Sequence, residues 1–178
     1  GHYEDMETYI SRMDDSMSAL DLLIRTGNAV TDVIINDRRK TASELGIEFQ
    51  CAFSFPASGG YNAYDIGIIL NNLLQNALEA CARVQNGPKY ICLSGRQKKN
   101  FFLIDIKNPF DGEITFDRNT ALPVSTKKRD GGNAFASLHG IGLSNVKREA
   151  LEYMGDVDIQ IENSEFHVTV LLQERRTK

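Results

Sequence analysis

The sequence predicts an α+β fold in which helices pack on one face of a mixed, mostly antiparallel sheet. Apolar residues recur with helical spacing over 3–25, 29–45, 63–84 and from the glycine pair at 140–142 to about 154. Alternation of apolar and polar residues predicts strands over 47–55, 90–97, 101–108, 158–163 and 165–173. Helices and strands do not alternate strictly, and most strands are neighbours in hairpins. This order favours α+β over a parallel α/β sheet.

Length and composition exclude several classes of protein. The chain has 178 residues, enough for one sizeable domain and an appendage, with 42% hydrophobic and 25% charged residues. The net charge of −4 argues against a nucleic-acid partner, because such proteins usually carry a basic excess. No apolar run approaches the ~20 residues of a membrane-spanning helix. The three cysteines lie far apart without a CxxC pair, which predicts reduced thiols rather than a zinc site or disulfides.

The first two predicted helices are separated by a break at residues 25–28, where Gly27 is suited to a helix C-cap. Helix 3–25 has a long apolar stripe, as expected of a helix that pairs with another, formed by Met6, Tyr9, Ile10, Met13, Met17, Leu20 and Leu23. Helix 29–45 ends at Gly46. Further along, the turn "KKN" joins two strands as a hairpin, and the stretch 109–138 lacks periodicity. A loop of that length is often a lid or a binding loop.

Helix 63–84 contains the stretch "NNLLQNALEA", which holds more amides than a helix interior usually selects. Asn72, Asn76, Glu79 and Arg83 follow at steps of four, three and four residues, so they share one face. A solvated back face is one interpretation. The other is a functional stripe, because a carboxamide oxygen is a hard, neutral ligand that suits Mg²⁺. The helix alone leaves both open.

The second motif is "GIGL", residues 140–143, where a glycine-rich loop turns into a helix. Glycines let the backbone approach a ligand, and a helix N-terminus offers free N–H groups to phosphate. The preceding loop adds Thr126, Lys127, Lys128 and Arg129. Turn chemistry and a solvated charge run remain the alternatives. Neither a P-loop nor a Rossmann fingerprint occurs. His139 adjoins the glycines, whereas His167 lies in a strand and is predicted to be structural.

Taken together, "NNLLQNALEA", a strand ending in "IKN", a loop with "STKK" and then "HGIGLSNVKRE" resemble the ATP-binding domain of sensor histidine kinases. This is the GHKL superfamily, whose Bergerat fold is a two-layer α/β sandwich. The resemblance covers about residues 29–173 and is closest to the kinases that sense peptide pheromones in Gram-positive bacteria. It implies that 1–28 is a remnant second helix of the dimerisation hairpin and that 29–178 is the ATP-binding catalytic domain.

The resemblance also implies roles for individual residues. Asn76 would be the principal Mg²⁺ ligand, with Asn72 nearby. Asn108 would read the adenine amino group, with Asp111 as the runner-up. The backbone of Gly140, Gly142 and Leu143 would hold the triphosphate. The expected ATP-binding set also includes Ile141, His139 and the residues in the position of the ATP lid, Thr126, Lys127 and Lys128.

Two departures from the family pattern stand out. "NPFDGE" replaces the usual first glycine box, DxGxG, so Asn108 lacks the negative charge of the usual aspartate. Ile68 occupies the position, eight residues before Asn76, where many members carry an acidic general base. The base is therefore unassigned, and Asp65 is interpreted as a helix N-terminal residue.

The expected function is the ATP-binding part of a two-component sensor histidine kinase. It would use ATP and Mg²⁺ and transfer the γ-phosphate to a histidine upstream of this sequence. Expected partners are that phosphoacceptor helix, a response regulator and a second copy in the full-length protein, on the cytoplasmic side of a membrane-anchored sensor. Without that upstream histidine, residues 1–178 are expected to bind ATP but not to autophosphorylate. The alternative is a nucleotide-binding regulatory module, either an anti-sigma-type serine kinase or a degenerate ATP sensor.

Overall fold

A five-stranded sheet covered by helices on one face forms the fold of the chain. The computed structural model describes residues 23–57, 60–112, 114–117, 122–124 and 141–174. In chain order the elements are α1 Ala29–Glu44, β1 Glu48–Phe53, α2 Ala63–Arg83, β2 Tyr90–Lys98, β3 Phe101–Pro109, β4 Thr115–Phe116, β5 Pro123–Val124, α3 Ile141–Glu152, β6 Asp156–Glu162 and β7 Glu165–Gln173. The predicted helix 3–25 lies outside the described residues up to position 22, and residues 23–28 are not helical.

The strand order is β1-β2-β3-β7-β6, with β1 and β2 parallel and every other neighbouring pair antiparallel. Asn163 and Ser164 form the β6–β7 turn with φ of 50° and 61°. Such left-handed pairs match the twist of a two-residue hairpin. The open, mostly antiparallel sheet confirms the α+β prediction.

One face of the sheet forms the core, and α2 packs across it. The side chains that meet beneath the helices are almost fully buried and include Ile91, Leu93, Phe102, Ile104, Ile106, Val168, Val170 and Leu172. The other face carries a polar group in which the Thr169 hydroxyl donates to Asp105 Oδ1 at 2.7 Å and His167 Nε2 lies 3.3 Å from the same oxygen. His167 thus packs beside cross-strand partners.

Both long helices begin at asparagine caps. The side chain of Asn28 accepts from Val30 N at the start of α1, and that of Asn62 accepts from Tyr64 N at the start of α2. The helices then approach closely at Gly67, where an added Cβ would lie 3.0 Å from Ile34 Cδ1 and 3.3 Å from Val30 Cγ1. Burial of one continuous apolar face explains why α2 follows its predicted bounds so closely.

The structure also differs from the sequence prediction after β3. The stretch 109–138 contains a short ladder, in which Thr115 pairs with Val124 and Phe116 with Pro123. Strands of two residues are too short to produce a periodic signal. The last hairpin also begins earlier than predicted, because Gly155 lies against the carbonyl of Leu171 and pairing starts at the next residue. Among the described residues, no helix has the length and apolar character needed to cross a membrane.

Candidate functional site

The two motifs singled out in the sequence meet in the structure. Gly142, in the first turn of α3, lies directly against the carboxamides of Asn72 and Asn76 on α2. A Cβ at Gly142 would be 3.2 Å from Asn76 Nδ2, 3.3 Å from Asn76 Oδ1 and 3.4 Å from Asn72 Oδ1. An added Cβ would require the amides to shift by a few tenths of an ångström. The stripe on α2 is therefore partly covered by α3 and is not a solvated back face.

The amide of Asn72 has a defined orientation. Its Nδ2 donates to the carbonyl of Ile68 at 2.8 Å, one turn earlier on α2, so its Oδ1 is the atom that faces Gly142. Ile68 itself is 39% exposed and apolar. Its side chain cannot accept a proton, so the position eight residues before Asn76 holds no general base.

The other amides of this helix have partners elsewhere. Asn71 Oδ1 accepts from Arg38 Nη2 at 2.7 Å, which links α2 to α1. Gln75 Nε2 donates to Glu79 Oε1 at 2.8 Å along the helix surface. Adjacent amides in the sequence thus serve different contacts, and only Asn72 and Asn76 turn toward α3.

The donor set at this point suits a hard divalent cation bound together with phosphate. The Oδ1 atoms of Asn72 and Asn76 both lie on the side of Gly142 where a Cβ would be, together with Asn76 Nδ2. Such oxygens are neutral, which fits Mg²⁺ when substrate phosphates supply the negative charge. Across the part of the chain that the structure describes, no cluster of three or more His, Cys, Asp or Glu side chains could hold a metal instead.

Asn108 lies at the end of β3 and is only 2% exposed. Its Nδ2 donates to the carbonyl of Pro109 at 2.9 Å, which leaves Oδ1 as the available acceptor. Among the described residues, no donor to this Oδ1 is found. A buried acceptor with no donor in the described part of the chain is suited to a ligand that brings one.

Cys81 on α2 lies beside the same carbonyl, with Sγ 4.0 Å from Pro109 O and 3.3 Å from Tyr90 O. Burial raises the pKa of the Cys81 thiol to about 11, so the sulfur remains a neutral donor near pH 7. Asp111 is exposed, and its Oδ2 accepts from Gln85 N at 2.7 Å just after α2 ends. Of the two adenine candidates, only Asn108 is buried.

The remaining predicted site residues belong to the loop before α3 and to its first turn. The first turn offers free N–H groups and a positive potential beside the two asparagines. Leu143 is half-buried and packs against the core, and Ile141 is the first residue of the helix. Five predicted residues lie outside the described part of the chain and remain predictions: Thr126, Lys127, Lys128, His139 and Gly140.

The sequence did not indicate how the far end of α3 is held. The Tyr153 hydroxyl, just after α3, donates to Asp65 Oδ2 at 2.6 Å and accepts from Asn62 N at 3.0 Å. Asp65 lies in the first turn of α2, where a carboxylate is favoured by the helix dipole. No motif links residues so distant in sequence, and apolar periodicity identifies Tyr153 only as a buried position.

Comparisons with known proteins concern the family and the fold. A family model described as the GHKL domain matches residues 61–173. Among solved structures, Acinetobacter baumannii histidine kinase AdeS is similar at 12% identity and TM-score 0.57, with 97% of this chain and 82% of that chain covered. A histidine kinase from Burkholderia phymatum is similar at 14% identity and TM-score 0.58, with 97% and 81% covered.

The catalytic domain of histidine kinase ThkA, in a nucleotide-free form, is similar at 14% identity and TM-score 0.57, with 84% of this chain and 93% of that chain covered. At these identities the likeness concerns the fold. No curated protein sequence matches this chain.

Proposed function

The chain belongs to the GHKL family, and from that premise we propose that it is the ATP-binding catalytic domain of a two-component sensor histidine kinase. The observation that carries the proposal is the contact of Gly142 with the amides of Asn72 and Asn76. It joins a pair of neutral oxygen ligands to a helix N-terminus, which are the two features that a metal-bound triphosphate requires.

In this proposal Asn76, assisted by Asn72, binds Mg²⁺. The ion would supply positive charge that offsets the negative charge of the phosphates. The triphosphate is bound by the first turn of α3 through Gly142, Ile141 and Leu143, and from the preceding loop by Gly140, His139 and the lid residues Thr126, Lys127 and Lys128. The helix dipole adds positive potential at the phosphates.

Asn108 reads the base. Its Nδ2 already donates to Pro109 O, so its Oδ1 is the atom that would accept a hydrogen bond from the exocyclic amino group of adenine. A carbonyl at that position of the base, as in guanine, would place acceptor against acceptor. An amide gives this selection without the negative charge of an aspartate.

The reaction is in-line transfer of the γ-phosphoryl group to a histidine nitrogen on an upstream segment: the N–P bond forms as the bond from the γ-phosphorus to the β,γ-bridging oxygen breaks, and ADP leaves. The protein contributes positioning and charge stabilisation, because phosphoryl transfer needs little covalent assistance. The Ile68 side chain cannot act as a general base, so no residue of α2 is assigned to accept the imidazole proton.

The partners in this proposal are that upstream helix, a second copy of the kinase and a response regulator. The sensor would be membrane-anchored with this domain in the cytoplasm, as in the peptide-pheromone kinases it resembles.

Ile68 also favours a second candidate, a degenerate ATP sensor or related regulatory module that binds nucleotide without phosphorylating histidine. A phosphotransfer assay separates the two. With radiolabelled ATP, the protein extended to include the upstream helix should acquire an acid-labile, base-stable phosphohistidine. ATP binding without transfer in that longer protein would favour the sensor. Stable phosphohistidine on residues 1–178 alone would contradict the expected location of the acceptor.

The binding site itself is tested by calorimetric titration of ATP with and without Mg²⁺. Asn76→Ala should weaken Mg²⁺-dependent ATP binding by roughly tenfold or more, since it removes a metal ligand. Gln75→Ala is the matched control on the same helix, because the Gln75 side chain donates its hydrogen bond along the helix to Glu79 and not to α3. Unchanged Mg²⁺-dependent binding in Asn76→Ala would overturn the metal assignment.

A further inference from the structure

The residue just after α3, Tyr153, is only 1% exposed yet ends in a hydroxyl that is fully engaged. It donates to Asp65 Oδ2 at 2.6 Å and accepts from the Asn62 amide at 3.0 Å. A bond from a hydroxyl to a carboxylate is among the stronger neutral-to-charged hydrogen bonds in proteins. Both partners belong to the first turn of α2 and its cap.

Helix α3 therefore contacts α2 at both of its ends. At its start, Gly142 lies against Asn72 and Asn76, and at its end Tyr153 is bonded to Asp65 and Asn62. The helices run antiparallel across this contact. Eleven residues separate Gly142 from Tyr153, a rise of about 16 Å. The tyrosine is thus remote from the candidate site but is tied to it through a single rigid helix.

Tyr153 is also held from the side of the sheet. Its ring stacks on that of Tyr61, with centroids 5.8 Å apart and planes inclined by 22°. Its carbonyl accepts from Gln173 N at 3.0 Å. The end of α3 is therefore fixed to both the sheet and α2. At this end of α3, the Tyr153 hydroxyl joins the helix to α2 through its hydrogen bonds with Asp65 Oδ2 and Asn62 N.

We propose that Tyr153 is a positioning residue for the phosphate half of the site. It touches no ligand. By bonding its hydroxyl to the start of α2, it sets the position of α3 and hence the distance of Gly142 from the Asn72 and Asn76 amides. This inference rests on the proposed function. Asn108 lies on β3, a central strand, so the base-binding half does not depend on the tyrosine.

The test compares the affinities of the wild type and variants for Mg²⁺-ATP and for adenosine, which lacks phosphates. Tyr153→Phe keeps the buried ring and removes the hydroxyl. It should weaken Mg²⁺-ATP binding on the order of fivefold or more, with adenosine binding nearly unchanged. The matched control is Tyr61→Phe. The Tyr61 hydroxyl donates to the carbonyls of Asn100, in the β2–β3 turn, and Leu172, on β7, at 3.1 and 3.4 Å. This control variant should leave the ratio of the two affinities unchanged.

Two substitutions at Asp65 test the same bond from its other side. Asp65→Asn retains an oxygen that can accept from Tyr153, whereas Asp65→Ala does not, and both remove the same charge. Asp65→Ala should therefore reproduce the loss of Mg²⁺-ATP affinity, and Asp65→Asn should largely preserve it. Asp65 is only half-buried, so its substitution is expected to disturb folding less than a change at Tyr153. The two Asp65 variants therefore still test the inference if Tyr153→Phe fails to fold.

Each result bears on the inference. Equal weakening of Mg²⁺-ATP and adenosine in Tyr153→Phe would assign the tyrosine a purely structural role and overturn the inference. The inference would also be overturned if the wild type binds Mg²⁺-ATP and neither Tyr153→Phe nor Asp65→Ala changes the ratio of the affinities for Mg²⁺-ATP and adenosine. A wild type that binds neither ligand would instead overturn the proposed function, and this inference with it.

Discussion

Helix α2 meets its two neighbouring helices at a glycine on each side, and the two contacts differ in chemistry. On the α1 side, Gly67 lies against the terminal methyl groups of Val30 and Ile34. On the α3 side, Gly142 lies against the amide groups of Asn72 and Asn76. Both glycines allow close approach of two helices. The first brings apolar surfaces together, and the second brings polar atoms together next to a helix N-terminus.

This difference separates a packing contact from a candidate site. Methyl groups at the ends of flexible side chains can move by a few tenths of an ångström with little loss, because dispersion has no preferred direction. Amide oxygens that must face one ligand cannot turn without losing their function. The same substitution is therefore expected to lower ligand affinity at Gly142 and to leave it unchanged at Gly67.

The largest effect is expected for Gly142→Ala. The added Cβ would stand 3.2 to 3.4 Å from the amide atoms of Asn76 and Asn72 and displace them. Mg²⁺-ATP affinity should fall by roughly tenfold or more, whereas the free energy of unfolding should change by less than about 1 kcal/mol, since alanine favours the helix. Calorimetric titration and urea unfolding measure the two quantities. Wild-type affinity in this variant would show that the glycine contact does not shape the site.

A smaller effect is expected for Gly67→Ala, and it should appear in stability alone. The Cβ would crowd Ile34 Cδ1 at 3.0 Å and Val30 Cγ1 at 3.3 Å. Alanine in a helix interior is favoured over glycine by roughly 1 kcal/mol, which offsets the crowding. The free energy of unfolding should therefore stay within about 1 kcal/mol of the wild type, with Mg²⁺-ATP affinity unchanged. A loss of affinity as large as that of Gly142→Ala would remove the distinction between the two contacts.

Much of this arrangement could be predicted from the sequence where the signal is local. Helix α2 was predicted within one residue of its ends because a long apolar stripe and a cap define it. The pairing of the Asn72–Asn76 stripe with the glycine motif came from family resemblance, because periodicity indicates which face of a helix is polar but not what lies opposite.

The contacts that could not be predicted join residues far apart in the chain. Tyr153 and Asp65 are 88 positions apart, and Arg38 and Asn71 are 33 apart. Their pairing depends on where the sheet places α1 and α3 relative to α2, which no local pattern encodes. The β4–β5 ladder was missed for a related reason, since two-residue strands are stabilised by their partner and not by their own sequence.

The smallest effect is expected for Asn71→Ala. Asn71 and Asn72 are neighbours in sequence but point about 100° apart on the helix, one toward Arg38 and the other toward Gly142. The Arg38–Asn71 bond is exposed, so its loss should change the free energy of unfolding by no more than about 0.5 kcal/mol and leave Mg²⁺-ATP affinity unaltered. Asn72→Ala, measured in the same titration, should weaken that affinity. Equal effects of the two substitutions on Mg²⁺-ATP binding would contradict the assignment of Asn72, and not Asn71, to the face of α2 that binds the ligand.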